Sequence, residues 1–428
     1  MNIQTAPLGA LDHDEIVAST SRKVITVAAA WIILVLSLLD RLAWSNVAVT
    51  VSDDLAIPLA ALGVFVTCFF AGSMLSNAAS GFITDRLGPR KMLAIMGLLL
   101  GAMTFCFSMT RSVTTGMLIQ AAMGLLAGAD LAACIKLVSS WFPARARAKA
   151  VGLAMTSFPV GVTLANAIVP SLAKHASWQT VYQTFGVATM LFAMICFAVL
   201  RDGPANTRAV ARAPGSVVGQ LLRNRNLVLL AIAGFGGDWG LWGFSFLVNA
   251  FMVKSQGLSP VVAGFVTMIF GLTAILANPL GGILSDWFRG MRKRVAAGFF
   301  LMFAVLLVIF GNLHGVVALR IGAFLLGIAA FSWGAVALTM ISEAAPRAHV
   351  AAASGLSNAV WQAGGLAVPL VVGYAYATTH SFVLALTLLA LGPLLGMIAV
   401  LAVDARAQPE DAALPTAHAG LSHAASPQ

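Results

Sequence analysis

Gly81-Phe-Ile-Thr-Asp85-Arg86-Leu-Gly88-Pro89-Arg90-Lys91 stands between two apolar runs, and Gly282-Ile-Leu-Ser-Asp286-Trp287-Phe-Arg289-Gly290 stands between two more. The second stretch follows the first at an offset of 201, and Asn77 recurs ahead of it as Asn278. A charged, glycine-bearing loop repeated in register marks an internal duplication. Further matches follow at an offset of 203: Gly124, Pro143, Gly152, Leu153 and Gly161 return as Gly327, Pro346, Gly355, Leu356 and Gly364. At 198, Asp40 and Trp44 return as Asp238 and Trp242, which reads as an acidic pair related by near-twofold symmetry.

Outward from these loops the chain is apolar. Of its 428 residues 60% are hydrophobic and 9% charged, against roughly 45–50% and about 25% in soluble domains. Runs long enough to cross about 30 Å of hydrocarbon as helices fall at 24–51, 59–84, 91–110, 114–141, 149–172 and 178–200. A second set falls at 226–251, 260–285, 294–312, 316–342, 350–376 and 381–403. The expected fold is an all-α polytopic membrane protein, with twelve spans in two pseudo-symmetric six-helix bundles, 24–200 and 226–404. Residues 1–23 form an N-terminal tail, 201–225 a linker, and 405–428 an Ala- and Pro-rich tail expected to be disordered.

Nineteen of the 25 lysines and arginines fall on the side of the termini and four on the other, while Arg41 and Lys136 lie within spans. The positive-inside rule then puts both termini in the cytoplasm and the protein in a bacterial-type inner membrane. The net charge of +10 forms no basic patch interleaved with aromatics, so no nucleic-acid partner is expected. Cys68, Cys106, Cys134 and Cys196 sit in apolar runs and suggest neither disulfides nor a metal site. The first 22 residues, with Asp12, Asp14 and Glu15, do not read as a signal peptide. Nothing resembles a phosphate-binding loop or a grouped nucleophile and base, so neither an enzyme nor a cofactor is expected. The partners are the bilayer and a small solute, and the expected state is a monomer.

The repeated loop resembles the signature G-x-x-x-D-R-x-G-R-K of the major facilitator superfamily. That resemblance gives Gly81, Asp85, Arg86, Gly88, Arg90, Asp286 and Arg289 a role in steadying one conformation. Asp40-Arg41 and Lys136-Leu-Val-Ser-Ser-Trp141-Phe142-Pro143 resemble the anion:cation symporter branch, as do Gln256-Gly257-Leu258-Ser259 and Glu343-Ala-Ala-Pro346-Arg347. The resemblance implies alternating access and import of an organic anion, such as a sugar acid or aromatic carboxylate, with protons or sodium. Two positions depart from the pattern: Ala127 stands where the branch carries a glutamate, with Asp130 three residues on, and Gln120 replaces the superfamily's fourth-helix arginine.

Five charges, Asp40, Arg41, Asp130, Lys136 and Asp238, lie inside spans, where each costs about 3 kcal/mol and marks function. Asp40, Asp130 and Asp238, near mid-helix, are expected to line the central cavity and are the candidates for proton coupling; a static ion pair is the alternative. Arg41 is the candidate for gripping a carboxylate through two charge-assisted hydrogen bonds, again with pairing to an internal acid as the alternative. Lys136 either joins it or snorkels to the interface. Trp44, Asn46, Trp242, Asn358 and Trp361 are further candidates for substrate contact, and most such aromatics in a membrane protein serve packing. Two other functions fit the chain: a proton-coupled exporter of drugs or metabolites, and a non-transporting membrane sensor.

Overall fold

The computed structural model describes residues 13–142, 144–203, 219, 221–288, 291–346 and 350–404. The tail from 405 and most of the linker lie outside them. Eight helices make the N-terminal half: α1 (His13–Asp54), α2 (Leu59–Leu87), α3 (Pro89–Phe107), α4 (Val113–Ala127), α5 (Asp130–Trp141), α6 (Ala144–Met155), α7 (Ser157–His175) and α8 (Trp178–Val199). Six make the C-terminal half: α9 (Arg225–Gln256), α10 (Pro260–Trp287), α11 (Arg292–Gly311), α12 (Val316–Ala344), α13 (Val350–Thr379) and α14 (Phe382–Leu401).

Eleven described segments are long and apolar enough to cross a membrane, and α2 carries a further, shorter apolar stretch, Ala61–Asn77. Two expected spans are interrupted. The run 114–141 breaks at Gly128–Ala129 between α4 and α5, and the run 149–172 breaks at Thr156 between α6 and α7. At the other end of the chain, α1 begins at His13 and carries its helix through Arg22 and Lys23.

Local chemistry sets the turns. The quoted loop closes on Gly88, whose φ of 82° suits glycine, and its amide donates to the Thr84 carbonyl. Pro89 then opens α3 at a position where a missing N–H costs nothing. At the opposite end of the bundle Ser112, Ser177, Ser259 and Ser381 each cap a helix N-terminus through the hydroxyl.

The two halves repeat in packing as well as in sequence. In the first half α1 packs on α7, α2 on α4, and α3 on α8. In the second α9 packs on α13, α10 on α12, and α11 on α14. The halves meet along two seams, α2 with α13 and α7 with α10, while α1 touches α9 between them. Among lipid tails these contacts gain from close fit and hydrogen bonds. A methyl added to Gly63 would strike the Pro369 carbonyl, and one on Gly264 would come within 2.6 Å of the Asn166 carbonyl.

Hydrogen bonds from Thr67 to the Leu366 carbonyl, from Asn249 to Asn46 and Asn166, from Lys254 to Asp53 and from Thr267 to Asn166 join the halves from mid-depth toward the end away from the termini. The packing agrees. One apolar cluster of the N-terminal half takes in Trp242 and Phe246 of α9, whereas the cluster nearer the termini draws on the N-terminal half alone. On α13, Gly365 is buried against Phe70 and Trp242, yet Asn358, two turns nearer the termini on the same face, is exposed. The seam is shut at one end and parts toward the other.

Candidate functional site

The closed end is layered. At the rim Lys254 on α9 pairs with Asp53 on α1 at 2.9 Å. Below it, Asn249 Nδ2 donates to Asn46 Oδ1 at 2.8 Å and to Asn166 Oδ1 at 3.1 Å. Thr267 Oγ1 lies 2.8 Å from Asn166 Oδ1 and 2.9 Å from Asn249 Oδ1. All four residues are buried, and they join α1, α7, α9 and α10. Each such interhelical bond is worth about 0.6 kcal/mol on average. Next comes an aromatic layer in which Phe70, Phe158 and Phe246 lie 5.6–5.7 Å from Trp242, centre to centre.

Arg41 lies against this aromatic layer. Its guanidinium carbon is 4.4 Å from the centre of the Trp242 ring, 4.9 Å from Phe70 and 5.0 Å from Phe69. Placing the charge costs about 3 kcal/mol, and a desolvated cation–π contact offsets about 0.5–2 kcal/mol. Three rings together therefore match the cost without a bound carboxylate. Arg41 Nε–H is buried and donates to no partner among the described residues. Asp238, one turn before Trp242 on α9, acts on Arg41 electrostatically from across the seam. A planar donor facing a parting seam, with an acid opposite, can hold a carboxylate and also release it.

Asp40 and Asp130 are elsewhere. Asp40 is 1% exposed inside the N-terminal half, where Thr189 on α8 donates to its Oδ2 at 2.8 Å and Oδ1 has no partner. Asp130 is 2% exposed at the start of α5, with neither oxygen hydrogen-bonded although Ser37 of α1 faces it. The two carboxyls lie close enough to feel each other's charge. Tyr182 and Gln120 complete this interior, facing each other, with the Tyr182 hydroxyl toward Asp40. Asp40 and Asp130 thus face the interior of the N-terminal half, whereas Asp238 faces Arg41 at the seam. Adjacent residues on a helix point about 100° apart, which turns Asp40 inward and Arg41 to the seam.

The same rotation corrects the acidic pair. As Asp40 turns to α8, so Trp239 turns to α14, donating to the Leu388 carbonyl at 3.1 Å. Asp238 precedes Trp239 by one residue and faces Arg41 instead. Asp40 and Asp238 match in depth and differ in direction.

Trp44 belongs to the core of the N-terminal half: it stacks on Phe65 at 4.3 Å, and its indole N–H reaches the Leu62 carbonyl. Trp361 packs on Trp333 within the C-terminal half and donates to the Leu230 carbonyl. Asn46 is part of the amide layer, and Trp242 is part of the Arg41 cage. Asn358 is exposed and accepts from Gln362 Nε2 at 3.2 Å. Lys136 is half-buried, five residues from the end of α5, and its ammonium is engaged. In the repeated loop, Arg90 donates its backbone N–H to Asp202 and its guanidinium to the Phe197 carbonyl, which ties the loop to the end of α8. Arg86 is exposed and engaged, and Gly88 makes the turn. Arg289, the surroundings of Gly81, and the side chains of Asp85 and Asp286 lie outside the described residues.

Sequence reading missed Tyr182, Thr189, Asn166 and Thr267. Single polar residues within apolar runs were the available signal, but they are common in membrane helices and only packing brings them together.

The family profile of the Major Facilitator Superfamily matches residues 29–369 and 230–426. A hexuronate transporter of Bacillus subtilis (strain 168) is 24% identical over 81% of this chain and 86% of its own length. A probable galactarate/D-glucarate transporter of Escherichia coli (strain K12) is 21% identical over 87% of this chain and 92% of its own. A putative tartrate transporter of Agrobacterium vitis is 24% identical over 80% and 84%. Among solved structures, a bacterial homolog of the human lysosomal transporter Spinster, inward-facing and unoccupied, superposes with a TM-score of 0.77 at 14% identity. It covers 89% of this chain and 97% of that one.

Proposed function

The chain belongs to the Major Facilitator Superfamily, and from that premise we propose that it imports a small organic anion, a carboxylate such as a sugar acid, together with protons. The carrying observation is Arg41: a guanidinium in the seam between two pseudo-symmetric halves, caged by Phe69, Phe70 and Trp242. Relatives named for hexuronate, galactarate or glucarate, and tartrate support the anionic class.

With both termini in the cytoplasm, as the lysine and arginine distribution supports, the parted seam faces inward. Asp238 and Asn358 then complete the substrate site around Arg41. Asp40 and Asp130 carry the coupling protons in the sealed interior of the N-terminal half, since an ionisable group inside a membrane protein suits proton relay. Helix α1 links the two tasks, because Asp40 and Arg41 are consecutive and any rotation that moves one moves the other. Rocking of the halves opens the amide and aromatic layers on the outer side and closes the seam on the inner side.

Purified protein in liposomes with an imposed pH gradient tests this reading. Uptake of hexuronate, glucarate or tartrate is expected to follow the gradient. Asp130→Asn is expected to abolish that uptake while sparing exchange of substrate across a preloaded vesicle. Accumulation of none of these anions, with efflux of cationic dyes instead, would establish the exporter reading.

A further inference from the structure

A sizeable cavity lies away from Arg41. About 710 Å³ of space opens between residues 20–32 of α1, Phe142 just past α5 and residues 146–153 of α6. It runs along α1 from Thr20 to Ile32, about 18 Å at 1.5 Å per residue. Its walls are mostly apolar, with Val27, Trp31, Phe142 and Ala150 among them, and the half-buried Lys23 of α1 and the exposed Lys149 of α6 also line it. Val24, Ile32 and Leu153 in its lining are left 63%, 36% and 59% exposed.

We propose that this groove is a binding site for an anionic phospholipid, one acyl chain lying along α1 and α6 and the headgroup phosphate held by Lys23 and Lys149. The groove lacks what a water-soluble anion needs at depth. Among the described residues that line it there is no guanidinium and no side-chain amide, and the charged ones are Lys23 and Lys149. A phosphate on an acyl chain has that same distribution of charge and apolar length. The position agrees, because Arg22 and Lys23 lie at the border where the polar N-terminal residues give way to the first apolar run. Basic residues beside membrane helices attract anionic headgroups in this way. The occupant differs in kind from the cargo of the Arg41 site, so the proposal stands whether or not the chain imports carboxylates.

The test uses the full chain, stripped of lipid in detergent and titrated with phosphatidylglycerol or with phosphatidylcholine of the same acyl chains, bound lipid being counted by native mass spectrometry. Phosphatidylglycerol is expected to bind more tightly. The double variant K23Q/K149Q is expected to lose about thirtyfold of that affinity, the size expected for two lysines near a headgroup. Ala150→Trp, which fills the apolar part and leaves the lysines in place, is expected to weaken both lipids. Circular dichroism and the unbound Tm establish that each variant is folded. Equal binding of the two lipids by the wild-type chain, or unchanged affinity in the double variant, overturns the proposal. So does displacement by glycerol 3-phosphate at the concentration at which the lipid itself binds, which would mark a site for aqueous anions.

Discussion

Asp40 and Asp238 occupy matching depths of matching helices, and they live in different surroundings. Asp40 is sealed within its own half against Thr189, with an acid, Asp130, for its nearest charged neighbour. Asp238 reaches across the seam toward a cation, Arg41. Duplication supplied both carboxylates, and one residue of helical phase gave them different surroundings, on which the proposed division of tasks rests. A carboxyl shielded from the seam can hold a proton irrespective of substrate. A carboxyl facing Arg41 is coupled to the charge of that guanidinium.

The variant with the largest expected effect is Asp40→Asn. Accumulation driven by a pH gradient should fall to background, with substrate exchange retained; Asp238→Asn should retain gradient-driven accumulation. If the two variants behave alike, the division of tasks is wrong. Next comes Arg41→Lys, expected to lower kcat/KM of uptake about thirty- to a thousandfold, the 2–4 kcal/mol of a lost bidentate charge-assisted contact. Wild-type kinetics in that variant would remove Arg41 from the substrate site. Asp238→Asn itself should alter substrate affinity severalfold by freeing Arg41 of its opposing charge, measured by equilibrium binding.

Thr189→Val and Trp239→Phe form a smaller, sharper pair, since each removes one hydrogen bond from an equivalent place, worth about 1 kcal/mol. The first should shift the pH profile of uptake by about a unit, and the second should lower Tm while leaving that profile unchanged. Smallest is Thr267→Val in the amide layer, at most about 1.7 kcal/mol of stability. Its expected mark is a modest loss of Tm, with cysteine labelling more often reaching the rim near Asp53 and Lys254.

Much of this architecture was legible before any coordinates. Apolar runs fix spans because the bilayer leaves backbone groups only one another as partners. The repeated loop fixes the division into halves, and the matching packing of α2 on α4 and α10 on α12 follows from it. The breaks at Gly128 and Thr156 were less legible, since hydropathy runs unbroken through both. Gly124 and Gly128 carry the explanation for the first: methyls there would strike the Phe69 and Ser73 carbonyls of α2, so close packing against α2 sets the path of α4.

The sequence alone determined that charged residues sit inside spans and that Arg41 adjoins Asp40. Direction was beyond it. A position on a helix has a phase of about 100° per residue, and sequence periodicity is blunt where every face is apolar, as it is in α1 and α9. Tertiary packing decided that Asp40 turns to α8, that Arg41 lies among three rings, and that Trp44 serves the core. It also joined Asn46, Asn166, Asn249 and Thr267, four residues spread over more than 200 positions, into the closed end of the protein. Contacts of that kind depend on which helix lies beside which, and no local stretch of chain carries that information.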